Sequence, residues 1–107
     1  MREELYSLAE DWRVRKIFEY LKRSSYTSLN ELSEKLGIGK NALRKKIREM
    51  VEVGIVEIKR GIEVYNELKE WHPCKILISL KKGKEVEQFE KILNNYKVKQ
   101  ENLQFCI

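Results

Sequence analysis

The stretch that most constrains the fold of this chain is residues 28–58, where two short helical patterns follow one another across a tight turn. Ser28, with Glu31 three residues later, has the spacing of a capping box, and Gly37 stands where a helix end favours positive φ. These signals predict a first helix over residues 28–37. Three residues at helical intervals form its apolar face: Leu29, Leu32 and Leu36.

A second helix is predicted over residues 40–53, because its apolar residues recur at intervals of four and three. Gly54 ends this helix, and the β-branched residues after it begin a strand. The inner face of the second helix consists of Leu43, Ile47 and Met50. Two short helices joined by a turn at Ile38 and Gly39 predict a helix-turn-helix.

The second helix carries a concentrated block of positive charge. Residues 39–48 hold five basic and no acidic residues, so their charge of +5 equals the formal net charge of the whole chain, and the other 17 basic and 17 acidic residues cancel. A helix-turn-helix inserts the N-terminal half of its second helix into the DNA major groove. A solvated basic face is the alternative, but the turn spacing and the small residues Gly39 and Ala42 favour DNA contact.

The residue types on this helix suggest two kinds of DNA contact. Asn41, Arg44 and Lys45 are the candidates for base edges, because Asn suits adenine and Arg suits guanine through paired hydrogen bonds. Phosphate contacts position a protein without specifying sequence. Four residues are expected to make such contacts: Ser28, Lys40, Lys46 and Arg48.

The same stretch resembles the winged helix-turn-helix of the MarR/ArsR-type regulators of bacteria and archaea. Their pattern runs E-L-A-x-x-L-G-I-S-x-x-x-L-x-x-x-[IL]-x-x-L-x-x-x-G-[IL]-[VI]. It departs from this chain at Gly39, where the family usually has a Ser or Thr N-cap, a change that costs a few tenths of a kcal/mol. The matching residues are Glu31, Leu32, Ser33, Leu36, Gly37, Ile38, Leu43, Ile47, Met50, Gly54, Ile55 and Val56.

A second resemblance to this family lies in the stretch ISLKKGKEV, where a strand leaves the wing and enters a last helix. The resemblance implies a small archaeal-type regulator with a mostly helical α+β fold: a three-helix core, a β-hairpin wing and an extra C-terminal helix. We therefore expect one domain over residues 1–107. Its further elements are a single helix over 1–24, a wing over 55–80 and a C-terminal helix over 85–100.

The wing is expected to have strands over residues 55–60, or extending through Ile62 and Val64, and over residues 74–80. The intervening YNELKEWH is either an extended wing or one turn of helix. In the resembled family the wing tip reaches DNA with Arg or Lys. Arg60 and Lys69 are the candidates here, although three acidic residues in the same region would repel the phosphates: Glu63, Glu67 and Glu70.

Both terminal helices carry more apolar residues than a three-helix core can cover, which predicts a homodimer. The alternatives are that Trp12 packs on the core of its own chain and that the last helix packs on the first. The predicted dimer interface consists of Leu5, Leu8 and Trp12 near the N-terminus and Val86, Phe89, Leu93 and Tyr96 in the C-terminal helix.

Several function classes receive no support from the sequence. The chain has one His, no paired metal-ligand spacing and no nucleophile or phosphate-loop motif, so we expect neither an enzyme nor a cofactor. We expect a cytoplasmic, membrane-free protein whose partner is double-stranded DNA. Cys74 and Cys106 are expected to be free thiols, with a disulfide as the alternative. Two other functions stay open: an architectural DNA binder, and a winged helix used for protein contact. No effector pocket is predicted.

Overall fold

The computed structural model describes the backbone of residues 2–71 and 74–105, and side chains within 3–71 and 74–95. Over these residues the chain forms six helices and a two-stranded antiparallel sheet, so the predicted mostly helical α+β class is confirmed. In chain order the elements are α1 (Arg2–Glu10), α2 (Trp12–Arg23), α3 (Leu29–Leu36), α4 (Lys40–Glu52), β1 (Val56–Arg60), α5 (Gly61–Leu68), β2 (Ile76–Leu80) and α6 (Lys84–Phe105). No helix of the described part combines the length and the apolar character needed to cross a membrane.

The prediction of a single helix over residues 1–24 is wrong, because the chain turns at Asp11. Asp11 has extended backbone angles, and its carboxylate accepts a hydrogen bond from the Arg13 N–H at 2.9 Å, so it caps the N-terminus of α2. Arg15 Nη1 donates to the carbonyl oxygen of Ala9 at 2.7 Å. That bond satisfies one of the carbonyls that the end of α1 leaves without a helical partner.

The helix-turn-helix forms where the sequence predicts it. The Ser28 hydroxyl accepts a hydrogen bond from the Glu31 N–H at 3.2 Å and caps α3. The Glu31 carboxylate does not complete the predicted capping box; it accepts hydrogen bonds from the Thr27 and Tyr20 hydroxyls at 2.9 and 3.1 Å. Gly37 ends α3 with φ 68°, a left-handed conformation that costs other residues roughly 1–2 kcal/mol.

The predicted hairpin is present, with a helix inside it. Strands β1 and β2 pair from Val56 opposite Leu80 to Arg60 opposite Ile76, and an isolated bridge adds Thr27 beside Ile78. The connection between the strands is α5, so the alternative in which β1 extends through residues 62 and 64 is wrong. The buried side chain of Val64 anchors α5 away from the main core.

One hydrophobic core joins the helices to the hairpin. The rings of Phe18 and Phe89 meet edge to face with their centroids 5.0 Å apart, which joins α2 to α6. Lys22 adds an ion pair with Glu90, with 2.6 Å between the ammonium nitrogen and Oε1. Because α1 also packs on α6, the two terminal elements cover one another within one chain.

This packing leaves little of the predicted dimer interface exposed. Leu5, Leu8, Phe89 and Leu93 are each at most 8% exposed, so the chain's own helices already cover them. Trp12 remains 47% exposed. Val86 is half-buried against the core, and the side chain of Tyr96 lies outside the described residues, as does Cys106. Cys74 carries a free thiol.

Candidate nucleic-acid interface

The outer face of α4 is basic along its first nine residues. The four cations Lys40, Arg44, Lys45 and Arg48 are exposed, and so is Asn41. Successive residues of a helix lie about 100° apart around its axis, so these five side chains occupy one side of α4. The opposite side is buried in the core through Leu43, Ile47 and Met50. The core therefore fixes the orientation of the basic face towards solvent.

The N-terminus of α4 is open on the same side. Gly39 occupies the N-cap position and provides no side-chain hydrogen bond to the first turn. A Cβ at Gly39 would meet no atom within 4 Å, so neighbouring groups leave this point uncovered. Free N–H groups and the helix dipole favour an anion at such an end. Phosphate oxygens of a nucleic acid fit this position beside Lys40.

Lys46 is the exception among the predicted phosphate contacts. It lies about 160° around the helix from Arg48, and its ammonium group is 2.7 Å from Asp11 Oδ2 and 3.5 Å from Glu49 Oε2. Its side chain is only 18% exposed. This ion pair disfavours the predicted contact of Lys46 with phosphates, because the cation holds α4 against the junction between α1 and α2.

The pKa values of the two partners shift in the directions expected for an ion pair. The hydrogen bond to Asp11 is the main cause that raises the pKa of Lys46 above 10.5. Burial alone would raise the pKa of Asp11, but the hydrogen bonds from Lys46 and the Arg13 N–H, with the positive charges of both residues, outweigh it. The pKa of Asp11 therefore lies below its usual 3.8. Both groups stay charged across the neutral range.

Two of the predicted base-contacting residues touch each other. Arg44 Nη1 lies 3.5 Å from Asn41 Oδ1, a long hydrogen bond on an exposed surface. The two residues are separated by three positions on α4 and lie on the same side of the helix. Such a weak bond is easily exchanged for stronger bonds to a nucleic acid, so Asn41 and Arg44 are available as a pair.

Ser28 is less suited to a phosphate contact than the α4 residues. Its hydroxyl oxygen already caps α3, and the exposed Glu31 carboxylate stands at the same helix end. A phosphate that approached Ser28 would meet this negative charge. A contact between Ser28 and a phosphate therefore stays a prediction, and the Glu31 carboxylate disfavours it.

The wing offers fewer available cations than its sequence suggests. Lys59 Nζ pairs with Glu67 Oε2 at 2.8 Å and lies 3.6 Å from Glu57 Oε1. The hydrogen bond to Glu67 is the main cause that raises the pKa of Lys59. The predicted contacts Arg60 and Lys69 are exposed, but they flank α5, whose eight residues span about 12 Å. They therefore stand at opposite ends of α5.

The part of the chain that bears the basic face has a counterpart among known families. Residues 13–57 match a family model described as winged helix-turn-helix DNA-binding. The match runs from α2 into β1 and includes the whole exposed face of α4. No curated protein and no solved structure gives a significant match.

This match supports double-stranded DNA binding through a winged helix-turn-helix. The narrower resemblance to MarR/ArsR-type and archaeal regulators stays a prediction. Helix α1, α5, β2 and α6 lie outside the matched residues. The additions to the winged helix-turn-helix, above all the helix inside the wing, are therefore features of this chain beyond the match.

Asp11 is the site residue that the sequence analysis missed. The signal was present, since Asp is a preferred N-cap and a turn of helix follows it. The tertiary contact with Lys46 carried no local signal. Among the described residues no group of three His, Cys, Asp or Glu side chains could hold a metal ion.

Proposed function

We propose that this protein binds duplex DNA sequence-specifically as a transcriptional regulator, with α4 in the major groove. The observation that carries the proposal is the exposed face of α4, whose cations are unmixed with acidic residues through Arg48. Glu49 faces Lys46, and Glu52 comes one turn after Arg48. The charge is thus concentrated in the half of the helix that enters the groove in helix-turn-helix proteins.

The residues on this face have two roles in the proposal. Asn41 and Arg44 contact base edges together with Lys45, because amide and guanidinium groups form paired hydrogen bonds with adenine and guanine. Lys40 and Arg48 contact phosphates on either side of the groove and set the register. Arg60 and Lys69 of the wing are proposed as weaker backbone contacts, since acidic residues surround them.

The protein is proposed to act as a homodimer on a palindrome, with half-sites about one helical turn, or roughly 34 Å, apart. Of the terminal-helix residues predicted for the interface, Trp12 has a large exposed surface. A single exposed ring is a small contact for a stable dimer, which normally buries about 800 Å² on each partner. Another surface is therefore needed.

The test is fluorescence anisotropy on random duplex DNA across a salt series, with Arg44→Ala and Lys45→Ala beside the native protein. The matched control is Lys81→Ala and Lys82→Ala, two exposed cations outside α4. We expect native binding to weaken with a slope of about −0.9 per phosphate contact. Both α4 variants should bind less tightly, and the control pair should change affinity little.

Equal affinity in native protein and α4 variants would remove α4 as the DNA surface. If the α4 variants weaken binding, site selection from a random pool comes next. A selected site bound roughly 10³-fold or more above random duplex supports a sequence-specific regulator. A ratio near one would favour an architectural binder instead, with the same DNA-binding face.

A further inference from the structure

One edge of strand β1 is not paired with another strand of the described residues. Two hydrogen bonds to β2 show which backbone groups point towards that edge. Among the described residues β1 pairs with β2 on one side only. At the two ends of the ladder, the Gly61 N–H donates to the Lys75 carbonyl at 2.9 Å and the Lys81 N–H to the Ile55 carbonyl at 3.0 Å. Backbone groups alternate in direction along a strand. The backbone N–H and C=O groups therefore point towards β2 at residues 55, 57, 59 and 61. They point away from β2, towards the other edge, at residues 56, 58 and 60.

The side chains along this edge alternate in a way that suits a second copy of the same strand. Antiparallel pairing centred on Ile58 would set Ile58 opposite Ile58 of the other copy. It would also set Glu57 opposite Lys59 of that copy, and Lys59 opposite Glu57. Charged residues on an edge normally discourage pairing, but here each charge would meet its opposite. This register would use the outward backbone groups of Val56 and Ile58 and the C=O of Arg60. The Arg60 N–H already donates to Glu63 Oε2 at 3.2 Å, and pairing would replace that bond.

The exposure of two isoleucine side chains supports pairing centred on Ile58. Ile58 is 51% exposed although it lies in the middle of β1, and Ile76 is 59% exposed. Ile58 pairs with Ile78, so Ile76 is its diagonal neighbour on the same face of the hairpin. A second strand beside β1 would cover Ile58 with the Ile58 side chain of the other copy.

The pairing also sets where the two helical bodies would attach to the sheet. Val56 is buried at the end of β1 nearest the helical core, and Arg60 is exposed at the other end. Antiparallel pairing would set the Val56 end of one strand beside the Arg60 end of its partner. The two helical bodies would then lie at opposite ends of a four-stranded sheet.

We propose that a second copy of this chain pairs along β1, in the antiparallel register centred on Ile58, and that this edge is the dimer interface. The proposal rests on the dimeric part of the proposed function and uses no residue of the α4 face. Dimerisation is therefore measured without DNA, and DNA binding by α4 is measured separately.

The test is sedimentation equilibrium of the native protein and of three charge variants. Glu57→Lys and Lys59→Glu each set like charges opposite one another at two places, so each should raise the dimer dissociation constant roughly tenfold or more. The double variant Glu57→Lys/Lys59→Glu restores both opposite pairs and should dimerise again. The double variant does not restore the Lys59–Glu67 ion pair. A loss of dimerisation caused only by breaking that ion pair would therefore persist in the double variant.

Mixing the two single variants is the sharpest arm of the test. One chain then carries two lysines on the edge and the other two glutamates, so they should form a heterodimer although each alone is monomeric. Ile58→Asp should also dissociate the native dimer, whereas Ile62→Asp, at an exposed position in α5, should not. Circular dichroism checks that each variant is folded.

A native protein that stays monomeric at roughly 100 µM would have no dimer of useful affinity, and this result would overturn the interface. A dimer that survives Ile58→Asp, or single variants that do not associate on mixing, would also overturn it. If α4 variants still lose DNA affinity in those cases, the DNA-binding proposal stands without this interface.

Discussion

The ammonium nitrogen of Lys46 lies 2.7 Å from Oδ2 of Asp11, which joins α4 to the junction between α1 and α2. Asp11 has two roles, because its other carboxylate oxygen caps α2 by accepting the Arg13 N–H at 2.9 Å. One side chain thus sets where α2 begins and holds the helix that carries the basic face. The two roles can be separated by substitution.

Asp11→Asn should keep the cap and lose the ion pair, since Asn is as good an N-cap as Asp. We expect a loss of about 0.5–1 kcal/mol in the free energy of unfolding, because the pair is partly exposed to solvent. Asp11→Ala loses both roles and should cost about 1 kcal/mol more. Urea unfolding of the two variants at neutral pH measures the difference. Equal stability of Asp11→Asn and Asp11→Ala would mean that capping contributes nothing.

The advantage of native protein over Asp11→Asn should depend on pH in a fixed direction. The pKa of Asp11 is lowered on folding, so its contribution is fully present above the unfolded value, near 3.8, and is lost as pH falls through the lower folded value. Lys46 has a raised pKa, so its contribution persists to above pH 10.5. Unfolding curves at pH 7 and at pH 3 and below check this. A difference that grew on acidification would contradict the ion pair.

Lys45 and Lys46 are adjacent in sequence and should behave differently towards DNA. Lys45 is exposed on the basic face, whereas Lys46 faces Asp11. Lys45→Met should weaken binding to the preferred site by about 1–3 kcal/mol, while Lys46→Met should leave that affinity unchanged. Anisotropy titrations on the preferred site give both affinities. The adjacent variant is the control, because both substitutions remove one positive charge from α4.

The helix-turn-helix was predictable because its signals are local. Ser28 caps α3, Gly37 ends it, and the apolar spacing of α4 is contained within one helix. The position of Lys46 away from the basic face follows from helix geometry, but its ion pair with Asp11, 35 positions earlier, carries no local signal. The break at Asp11 was overlooked for a related reason, since the apolar pattern continues across it and only the N-cap marks it.

The wing and the terminal helices were predicted less well, because long-range packing decides them. The residues of α5 resemble a strand in composition, yet they form a helix whose Val64 side chain is buried. The sequence predicts Leu5 and Phe89 in a dimer interface, because each helix alone shows an apolar stripe without the helix that covers it. The contact of α1 with α6 covers both stripes, and only the three-dimensional arrangement reveals it.

The two glycines of the turn should respond to substitution in opposite directions. Gly37 has φ 68° with open space around its Cβ position, so Gly37→Ala should cost roughly 1–2 kcal/mol through the backbone alone. Gly39 has ordinary extended angles and lacks a side-chain cap, so Gly39→Ser should add a few tenths of a kcal/mol. Thermal unfolding of both variants measures the changes. A stabilised Gly37→Ala would contradict the left-handed end of α3.

Phe89 and Trp12 offer a direct comparison of the core with the predicted terminal-helix interface. Phe89 is fully buried against Phe18, so Phe89→Ala should cost roughly 3–5 kcal/mol of stability. Trp12 is 47% exposed, with Arg13 and Lys16 near its ring, so Trp12→Ala should change stability by at most about 0.5 kcal/mol. Phe89→Leu provides a milder core variant if Phe89→Ala does not fold.

Denaturant unfolding gives the stabilities, and sedimentation equilibrium of Trp12→Ala gives the state of association. We expect that state to match the native protein, whereas dissociation by Trp12→Ala would return the interface to the terminal helices.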